Sequence, residues 1–240
     1  MKLTRTALAL TAAALAPALL LATPSLASAA PVKASVSAPA GAVLGSDTEN
    51  AVAIAKILAD PASGKAVIRE ANKALSGTPE DRVAFLTTGL AKAQDEDNRV
   101  AIGKILFANP ATGKAVKREA NKALDGTPAD RVAFLATGLA KAQDEDNRVA
   151  IGKILFANPA TGKAVKREAN KAMDGTPADR TAFLKTGLRL AQAEDDRVDV
   201  ARVLARPGIS DALRAEASRL LDGSTPEELR YFITVGQYQL

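Results

Sequence analysis

The sequence predicts an all-α fold: a right-handed, α-solenoid-like array of four tandem repeats, each of about 49 residues with about three short helices. Three observations lead to this prediction. The segment 96–144 recurs at 145–193 with six differences, proline and glycine divide each copy into three amphipathic stretches, and no stretch alternates between apolar and polar residues with period two. Aromatic residues form only 3% of the chain, which favours close-packed helices over sheets.

The copies are aligned by a recurring Gly-Thr-Pro signal, which begins at Gly77, Gly126 and Gly175 and returns at Gly223 with one serine inserted. Two nearly identical central copies are flanked by a more divergent copy on each side. Three short amphipathic helices cannot bury their apolar faces alone, so we expect neighbouring copies to stack into one continuous core. The predicted copies are 48–95, 96–144, 145–193 and 194–240.

The first two helices of copy two are bounded by polar residues, proline and glycine. The first helix is predicted to start at Asp97 or Asn98, which are good N-cap residues, and to end at Asn109-Pro110. The second helix follows Gly113, and Asp125-Gly126 is expected to stop it in a left-handed turn. The predicted apolar side of the second helix consists of Val116, Ala120, Ala123 and Leu124.

The third helix has the strongest start signal in the chain. Thr127 is the predicted N-cap, Pro128 occupies the first helical position and Asp130 returns the capping hydrogen bond. Gly138 lies inside this helix, where glycine costs about 1 kcal/mol relative to alanine, so we expect another backbone to cross closely there. The predicted apolar stripe is Val132, Leu135, Leu139 and Ala142, with Phe134 flanking it.

Aromatic residues distinguish the ends of the array from its centre. Phe107 and Phe156 extend the first helix of the two central copies, whereas the terminal copies lack this residue, as expected of caps that face water. Tyr231, Phe232 and Tyr238 are concentrated near the end of the chain. We expect them to close the end of the core, and the alternative is an apolar surface that binds a partner.

The N terminus has the pattern of a secretory signal peptide, predicted to span 1–29. Lys2 and Arg5 precede an apolar run that is too short for a membrane span, and small residues mark cleavage between Ala29 and Ala30. Residues 30–46 are predicted to form a flexible leader rich in Ala, Pro and Ser. The product is therefore expected to be secreted and extracellular without a membrane anchor, either released or associated with the cell wall.

The composition excludes several classes of function. The 240 residues include no His and no Cys, so a Ser-His-Asp triad, a thiol nucleophile, a disulfide and imidazole or thiolate metal ligands are ruled out. We therefore predict no catalytic residue, no metal and no cofactor. Loss of Lys2 and Arg5 with the signal peptide would lower the formal net charge from +5 to +3, which is only mildly basic.

An acidic segment recurs at the predicted start of the first helices. Its oxygen ligands could hold calcium, but the glycine and the glutamate of an EF-hand loop are missing. Paired carboxylates could also hydrolyse glycosides, although no Trp is present to hold a sugar. Helix capping is the interpretation that we favour. The segment occurs as Asp95-Glu96-Asp97-Asn98, as Asp144-Glu145-Asp146-Asn147 and as Glu194-Asp195-Asp196.

The second helices carry rows of basic residues opposite their apolar residues. Such rows could bind an anionic polymer through contacts that weaken with salt, whereas the residues by themselves favour a solvated face neutralised by neighbouring acids. Nucleic acid is disfavoured, since no aromatic residue is interleaved for base stacking. In copy four the row fails at Asp211 and Ala215. The candidate binding residues are Lys65, Arg69, Lys73, Lys114, Lys117, Arg118, Lys122, Lys163, Lys166, Arg167 and Lys171.

The segment from Gly77 to Ile102, GTPEDRVAFLTTGLAKAQDEDNRVAI, resembles the ALF repeat, a short helical repeat of secreted proteins from high-GC Gram-positive bacteria. The resemblance covers essentially 47–240. Its core, Gly-Thr-Pro-x-Asp-Arg-x-Ala-Phe-Leu, occurs three times, with a degenerate fourth copy at 224–233. The resemblance implies a helical repeat of unknown activity. Similar repeats precede toxin domains in some large secreted proteins, and no such domain is expected in this chain.

Together these observations predict a secreted, monomeric, non-catalytic helical repeat scaffold. We expect it to bind a protein or an anionic cell-envelope polymer, through the groove of the array or through the basic rows. One alternative is a structural spacer without a dedicated ligand. Another is a stand-alone relative of the toxin-associated repeats that binds a cognate partner.

Overall fold

A computed structural model describes residues 45–107, 112–156 and 161–240. Throughout these ranges the regular secondary structure is helical, which confirms the predicted all-α class. The signal peptide, its cleavage site between Ala29 and Ala30, the leader as far as residue 44 and the predicted stop at Asn109-Pro110 lie outside the described residues. The right-handed sense of the array stays a prediction.

Each of the four units has three helices. The first unit consists of α1 (Asp47–Ala59), α2 (Lys65–Ser76) and α3 (Pro79–Ala84). The second consists of α4 (Leu90–Phe107), α5 (Lys114–Asp125) and α6 (Pro128–Ala133). The third consists of α7 (Leu139–Phe156), α8 (Lys163–Asp174) and α9 (Pro177–Ala182). The fourth consists of α10 (Leu188–Leu204), α11 (Asp211–Asp222) and α12 (Pro226–Thr234), followed by a 3₁₀ turn at Gly236–Tyr238.

The third helix of each of the first three units runs without a break into the first helix of the next unit. The join is a π turn, a helical turn that takes in one extra residue. The prediction that a first helix starts at Asp97 or Asn98 is therefore wrong, because both residues lie in the interior of α4. The π turns are Phe85–Gly89, Phe134–Gly138 and Phe183–Gly187, and the continuous helices span 79–107, 128–156 and 177–204.

The predicted capping box of the third helices is confirmed. The Thr127 hydroxyl accepts a hydrogen bond from the Asp130 backbone N–H, and the Asp130 carboxylate accepts one from the Thr127 N–H at 2.7 Å. The predicted left-handed turn at Gly126 is wrong, since its φ is −83° and its ψ is −161°. A Cβ at Gly126 would lie only 2.7 Å from the Asp130 carboxylate, so glycine is needed there for close approach.

The core is continuous from unit to unit. Buried alanines and valine of α5 pack against Ile102 of α4, Phe134 of the π turn and Leu139 and Ala142 of α7. Because α7 belongs to the following unit, α5 is covered on one side by its own unit and on the other side by its neighbour, and the same holds for α2 and α8. The buried residues of α5 are Ala115, Val116, Ala120 and Ala123.

The π turn shifts the phase of the apolar stripe relative to the prediction. Val132, predicted to be in the core, is 42% exposed, whereas Phe134, placed at the flank, is buried. The expected crossing of another backbone at Gly138 is also wrong. A Cβ there would first meet the Phe134 ring of the same helix, at 3.2 Å, so the small residue leaves room for that ring.

Aromatic residues do not mark the ends of the array in the way that was predicted. Phe107 and Phe156 are each 86% exposed, so they do not belong to the core. The lack of this residue in the terminal units therefore does not mark those units as caps. Phe232 is buried, but it occupies the same place as Phe183 in the preceding unit. Tyr231 and Tyr238 are exposed.

The N terminus of each inner second helix is completed by a carboxylate from the following unit. The N-cap of α5 is Gly113, which has no side chain to accept a hydrogen bond. Instead, the backbone N–H groups of Ala115 and Val116 donate to the two Asp146 carboxylate oxygens, at 2.9 and 3.0 Å. A Cβ at Gly113 would overlap that carboxylate. The same contact joins Asp97 to α2 and Asp195 to α8.

A buried arginine connects the three helices within each of the second and third units. Arg131 of α6 is 1% exposed. Its Nε and Nη2 donate to the Asp95 carboxylate of α4, and its Nη1 donates to backbone carbonyls at the C-terminal end of α5, including that of Gly126 at 2.7 Å. One guanidinium therefore links all three helices of a unit. Arg180 and Asp144 repeat the arrangement in the third unit.

The fourth unit replaces this ion pair with apolar residues. Leu229 and Ala193 occupy the places of Arg180 and Asp144, and both belong to the apolar core of the unit. The Ser224 hydroxyl, which the other units lack, donates to the Leu220 carbonyl at 2.7 Å and so satisfies part of the helix end. An ion pair and an apolar pair thus fill the same space in one chain.

We predict that Gly113→Ala lowers the free energy of unfolding by about 1–2 kcal/mol, because the new methyl group displaces the Asp146 carboxylate from the α5 N terminus. Urea unfolding followed by circular dichroism measures the loss. Hydrogen exchange should accelerate at the Ala115 and Val116 amides, which donate to that carboxylate.

The matched control is Gly103→Ala, in the interior of α4, where a Cβ would meet nothing within 4 Å. This substitution should raise the free energy of unfolding by about 0.5–1 kcal/mol, since alanine is the better helix former. Effects of the same sign at both glycines would contradict the assignment of Asp146 as the cap of α5.

We also predict that Asp95→Ala costs about 3 kcal/mol or more, because it leaves the buried Arg131 guanidinium without its counter-ion. The double variant Asp95→Ala with Arg131→Leu, which copies Ala193 and Leu229, should recover about half of that loss or more. Urea unfolding of the three proteins tests this. A double variant less stable than Asp95→Ala would overturn it.

Candidate binding face

The predicted basic residues form the outer faces of α2, α5 and α8, here called the basic face. The alanines and valine on the opposite side of each helix are buried in the core, which places the basic side chains in solvent. All eleven predicted residues are exposed. The structure therefore brings them together along each helix as the spacing indicated.

The arginines of the basic face are engaged in ion pairs between units. Arg118 donates from Nη1 and Nη2 to the two Glu145 carboxylate oxygens, at 3.2 and 2.8 Å, and from Nε to Glu119 at 2.8 Å. The hydrogen bonds from Arg118 lower the pKa of the Glu145 carboxyl, and Glu145 in turn raises the pKa of the guanidinium. Because Glu145 lies in the following unit, Arg118 serves as a bridge. Arg69 and Arg167 form equivalent bridges.

The lysines of the basic face form no ion pair within the described part of the chain. The described ion pairs of this face are made by Arg69, Arg118 and Arg167 alone. Lys122 does contribute to the electrostatics of a neighbour: its charge adds to the hydrogen bonds from Thr127 that lower the pKa of Asp130. The cationic groups that the face offers to a ligand are therefore its lysines.

Each acid of the recurring acidic segment has a different structural partner. Asp95 binds the buried Arg131, whose hydrogen bonds lower the pKa of the Asp95 carboxyl. Glu96 binds Arg69, and Asp97 caps α2. The predicted capping of a first helix by this segment is therefore wrong: only Asp97 acts as a cap, and the helix that it caps is α2 of the preceding unit. Among the described residues, no group of three or more acids is placed to hold a metal ion.

One titratable group has an unusual environment that the sequence did not single out. Asp196 is buried between α10 and α12, and burial raises the pKa of its carboxyl to about 6. Its Oδ1 lies 3.0 Å from Nη2 of Arg230, while its Oδ2 has no hydrogen-bond partner. The equivalent residue in the preceding unit is Asn147, which donates to the Thr181 hydroxyl at 3.1 Å. An aspartate at an asparagine position was the only signal in the sequence.

A concave surface lies at the C-terminal end of the array, beside the aromatic residues for which the sequence left a partner-binding role open. This surface, here called the end groove, has a volume of about 690 Å³ and lies between α11, α12 and the last residues of the chain. Its floor includes Ala212, Ala215, Tyr231 and Phe232. Two signals in the sequence pointed to this region: the aromatic residues near the end of the chain, of which Tyr231 and Phe232 line the groove, and the loss of the basic row at Asp211 and Ala215.

The fold defines a class of protein, the helical tandem-repeat proteins, in which neighbouring units pack against one another. The chain belongs to the ALF family, described as short repeats of unknown function, which matches residues 52–93, 99–142, 148–191 and 197–239. No curated protein matches the chain. Within the described ranges, no helix has both the length and the apolar character needed to cross a bilayer.

We predict that Asp196→Asn stabilises the protein at neutral pH. A carboxyl whose pKa is raised in the folded state destabilises the fold, and this effect builds up between pH 3.8 and about pH 6 and is complete above about pH 6. The stability difference from the original protein should therefore shrink below about pH 6. Urea unfolding across this pH range measures it, with the exposed Asp125 of α5 changed to Asn as the control. A stability difference that does not depend on pH would contradict the assignment.

Proposed function

We propose that this chain is a secreted, non-catalytic helical repeat scaffold that binds an anionic cell-envelope polymer through the lysines of its basic face. The observation that carries the proposal is a difference between the arginines and the lysines of that face. The arginines are held by glutamates of the following unit, whereas the lysines of α2, α5 and α8 form no ion pair with any residue that the structure describes. Secretion is supported by the signal-peptide pattern of 1–29.

The chemistry of the lysines suits a flexible polyanion. A lysine ammonium is a compact charge on a flexible stem, so it can follow a phosphate-rich chain without a fixed geometry. Several such contacts on successive units add up along one polymer molecule, and each contact releases bound counter-ions. The expected ligand is therefore a wall polymer with regularly spaced phosphates, and binding should weaken with salt.

The test is retention of the purified chain on isolated Gram-positive cell walls, before and after chemical removal of wall phosphate polymers. We predict salt-sensitive retention that is lost when the phosphate polymers are removed. Retention on cell walls should fall by about tenfold or more in a variant in which four lysines are changed to Glu: Lys114, Lys117, Lys163 and Lys166. This variant spares the arginines, which hold the units together.

The matched control changes the same number of charges on the long helices, with Lys92, Lys104, Lys141 and Lys153 changed to Glu. These lysines are also exposed. Because each variant replaces four lysines with glutamates, the two variants have the same net charge. Equal losses in both variants would show that only overall charge matters and would contradict a specific basic face. If the original chain is not retained at all, the proposal is wrong, and a structural spacer or a binder of a cognate partner becomes the better interpretation.

A further inference from the structure

An exposed aromatic ring lies at the same end of each central unit. Phe107 is the last residue of α4 and Phe156 is the last residue of α7, and each is 86% exposed. The terminal units have alanine at this place, Ala59 and Ala205, so the fold does not require a ring there. A single exposed apolar side chain is common on protein surfaces, so the surroundings of the two rings decide what they can do.

Three exposed lysines lie at the same end of the second unit as its ring. Lys104 is one helical turn before Phe107 on α4. Lys114 and Lys117 lie at the start of α5. The Thr112 hydroxyl ties this start to the last turn of α4, because it donates to a backbone carbonyl there at 3.3 Å. Phe107 and the three lysines are here called an aromatic tip, and the tip of the third unit consists of Phe156, Lys153, Lys163 and Lys166.

The positive charge of the aromatic tips is not neutralised by neighbouring acids. Every ion pair described for α4, α5, α7 and α8 has an arginine as its cation. The acids that the third unit brings to α5 are engaged elsewhere: Asp146 accepts from N–H groups of the helix N terminus, and Glu145 binds Arg118. Within the ranges that the structure describes, the lysines of the tips therefore have no ion-pair partner.

The ring and the complete set of lysines occur together. The first unit has Ile68 at the place of Lys117, and the fourth unit has Asp211 at the place of Lys114. Both of these units lack the ring as well. An aromatic side chain surrounded by unpaired cations is thus a property of the two central units, and it combines an apolar with a positively charged surface.

We propose that the two aromatic tips bind the surface of an anionic lipid bilayer. The rings enter the interfacial region, where an apolar side chain needs no preformed pocket, and the lysines lie beside the lipid phosphates. Burial of the rings is favourable in lipid, whereas a dissolved phosphate polymer offers them no apolar environment. The tips share lysines with the basic face but the rings do not belong to that face, so bilayer binding does not depend on polymer binding.

The test uses residues 30–240, which contain every described residue and exclude the apolar N-terminal run that would itself bind lipid. Because the chain has no Trp, the Phe107→Trp variant has a single indole, at one tip. With vesicles of phosphatidylglycerol and phosphatidylcholine in equal parts, its emission should shift to shorter wavelength and its quenching by iodide should fall about threefold or more. Vesicles of phosphatidylcholine alone and soluble polyphosphate should leave both properties unchanged.

A second variant combines Phe107→Ala with Phe156→Ala. It copies the alanines of the terminal units, so it should fold, which circular dichroism checks. Its binding to the anionic vesicles, measured by sedimentation, should be about tenfold weaker, since both rings are lost. The matched control combines Tyr231→Ala with Tyr238→Ala, which removes two exposed rings elsewhere and should leave binding unchanged.

Bilayer binding is ruled out by any of three results: no sedimentation of the original chain with the anionic vesicles, the same indole response to vesicles and to polyphosphate, or equal losses in the two double variants. Retention of the Phe107→Ala, Phe156→Ala variant on isolated cell walls should equal that of the original chain. A tenfold fall in that retention would assign the rings to the wall polymer and overturn bilayer binding, whereas absence of retention in both proteins would contradict polymer binding alone.

Discussion

The array depends on one contact between neighbouring units. In this contact, an aspartate carboxylate of one unit accepts hydrogen bonds from the N terminus of the second helix of the unit before it. The inner second helices begin with Gly-Lys, so they have neither a capping side chain nor an acid in the first turn. Unsatisfied N–H groups and the positive end of the helix dipole both call for an anion at that point. Asp97, Asp146 and Asp195 supply it, which makes each inner second helix incomplete without its successor.

The charges of the chain fall into two groups with separate roles. Structural charges cancel locally: Arg131 with Asp95 inside a unit, and Arg118 with Glu145 between units. What remains is a set of exposed lysines, both on the outer faces of the second helices and on the long helices, as at Lys92 and Lys141. Because the structural arginines are already bound, an arginine count overstates the positive charge available to a ligand. The mild net charge of the chain is thus concentrated in residues that no intramolecular contact requires.

The sequence predicted contacts that are local and missed those that are not. The capping box of Thr127 and Asp130 joins residues three apart, so its signal is complete within one helix end. Asp97 has the same chemistry, but its target lies about thirty residues earlier in the chain, and nothing local shows which helix end the fold will place beside it. The misplacement of Val132 and Phe134 has another cause: a regular 3.6-residue period was assumed where a π turn adds a residue. The ion pair of Arg118 with Glu145 and the exposure of Phe107 likewise depend on how the units pack, which the local sequence does not show.

The serine that caps α11 also determines where the array can grow. A copy of the central unit inserted between the second and third units would find an uncapped glycine before it and would in turn be capped by the unit after it. A copy added after the fourth unit would find Ser210 already accepting from the Leu213 N–H, which is one of the two N–H groups that the aspartate would need, and Ala215 in place of the bridging arginine. Lengthening by internal duplication is therefore structurally neutral, whereas terminal addition is not, which accords with the near-identity of the two central copies.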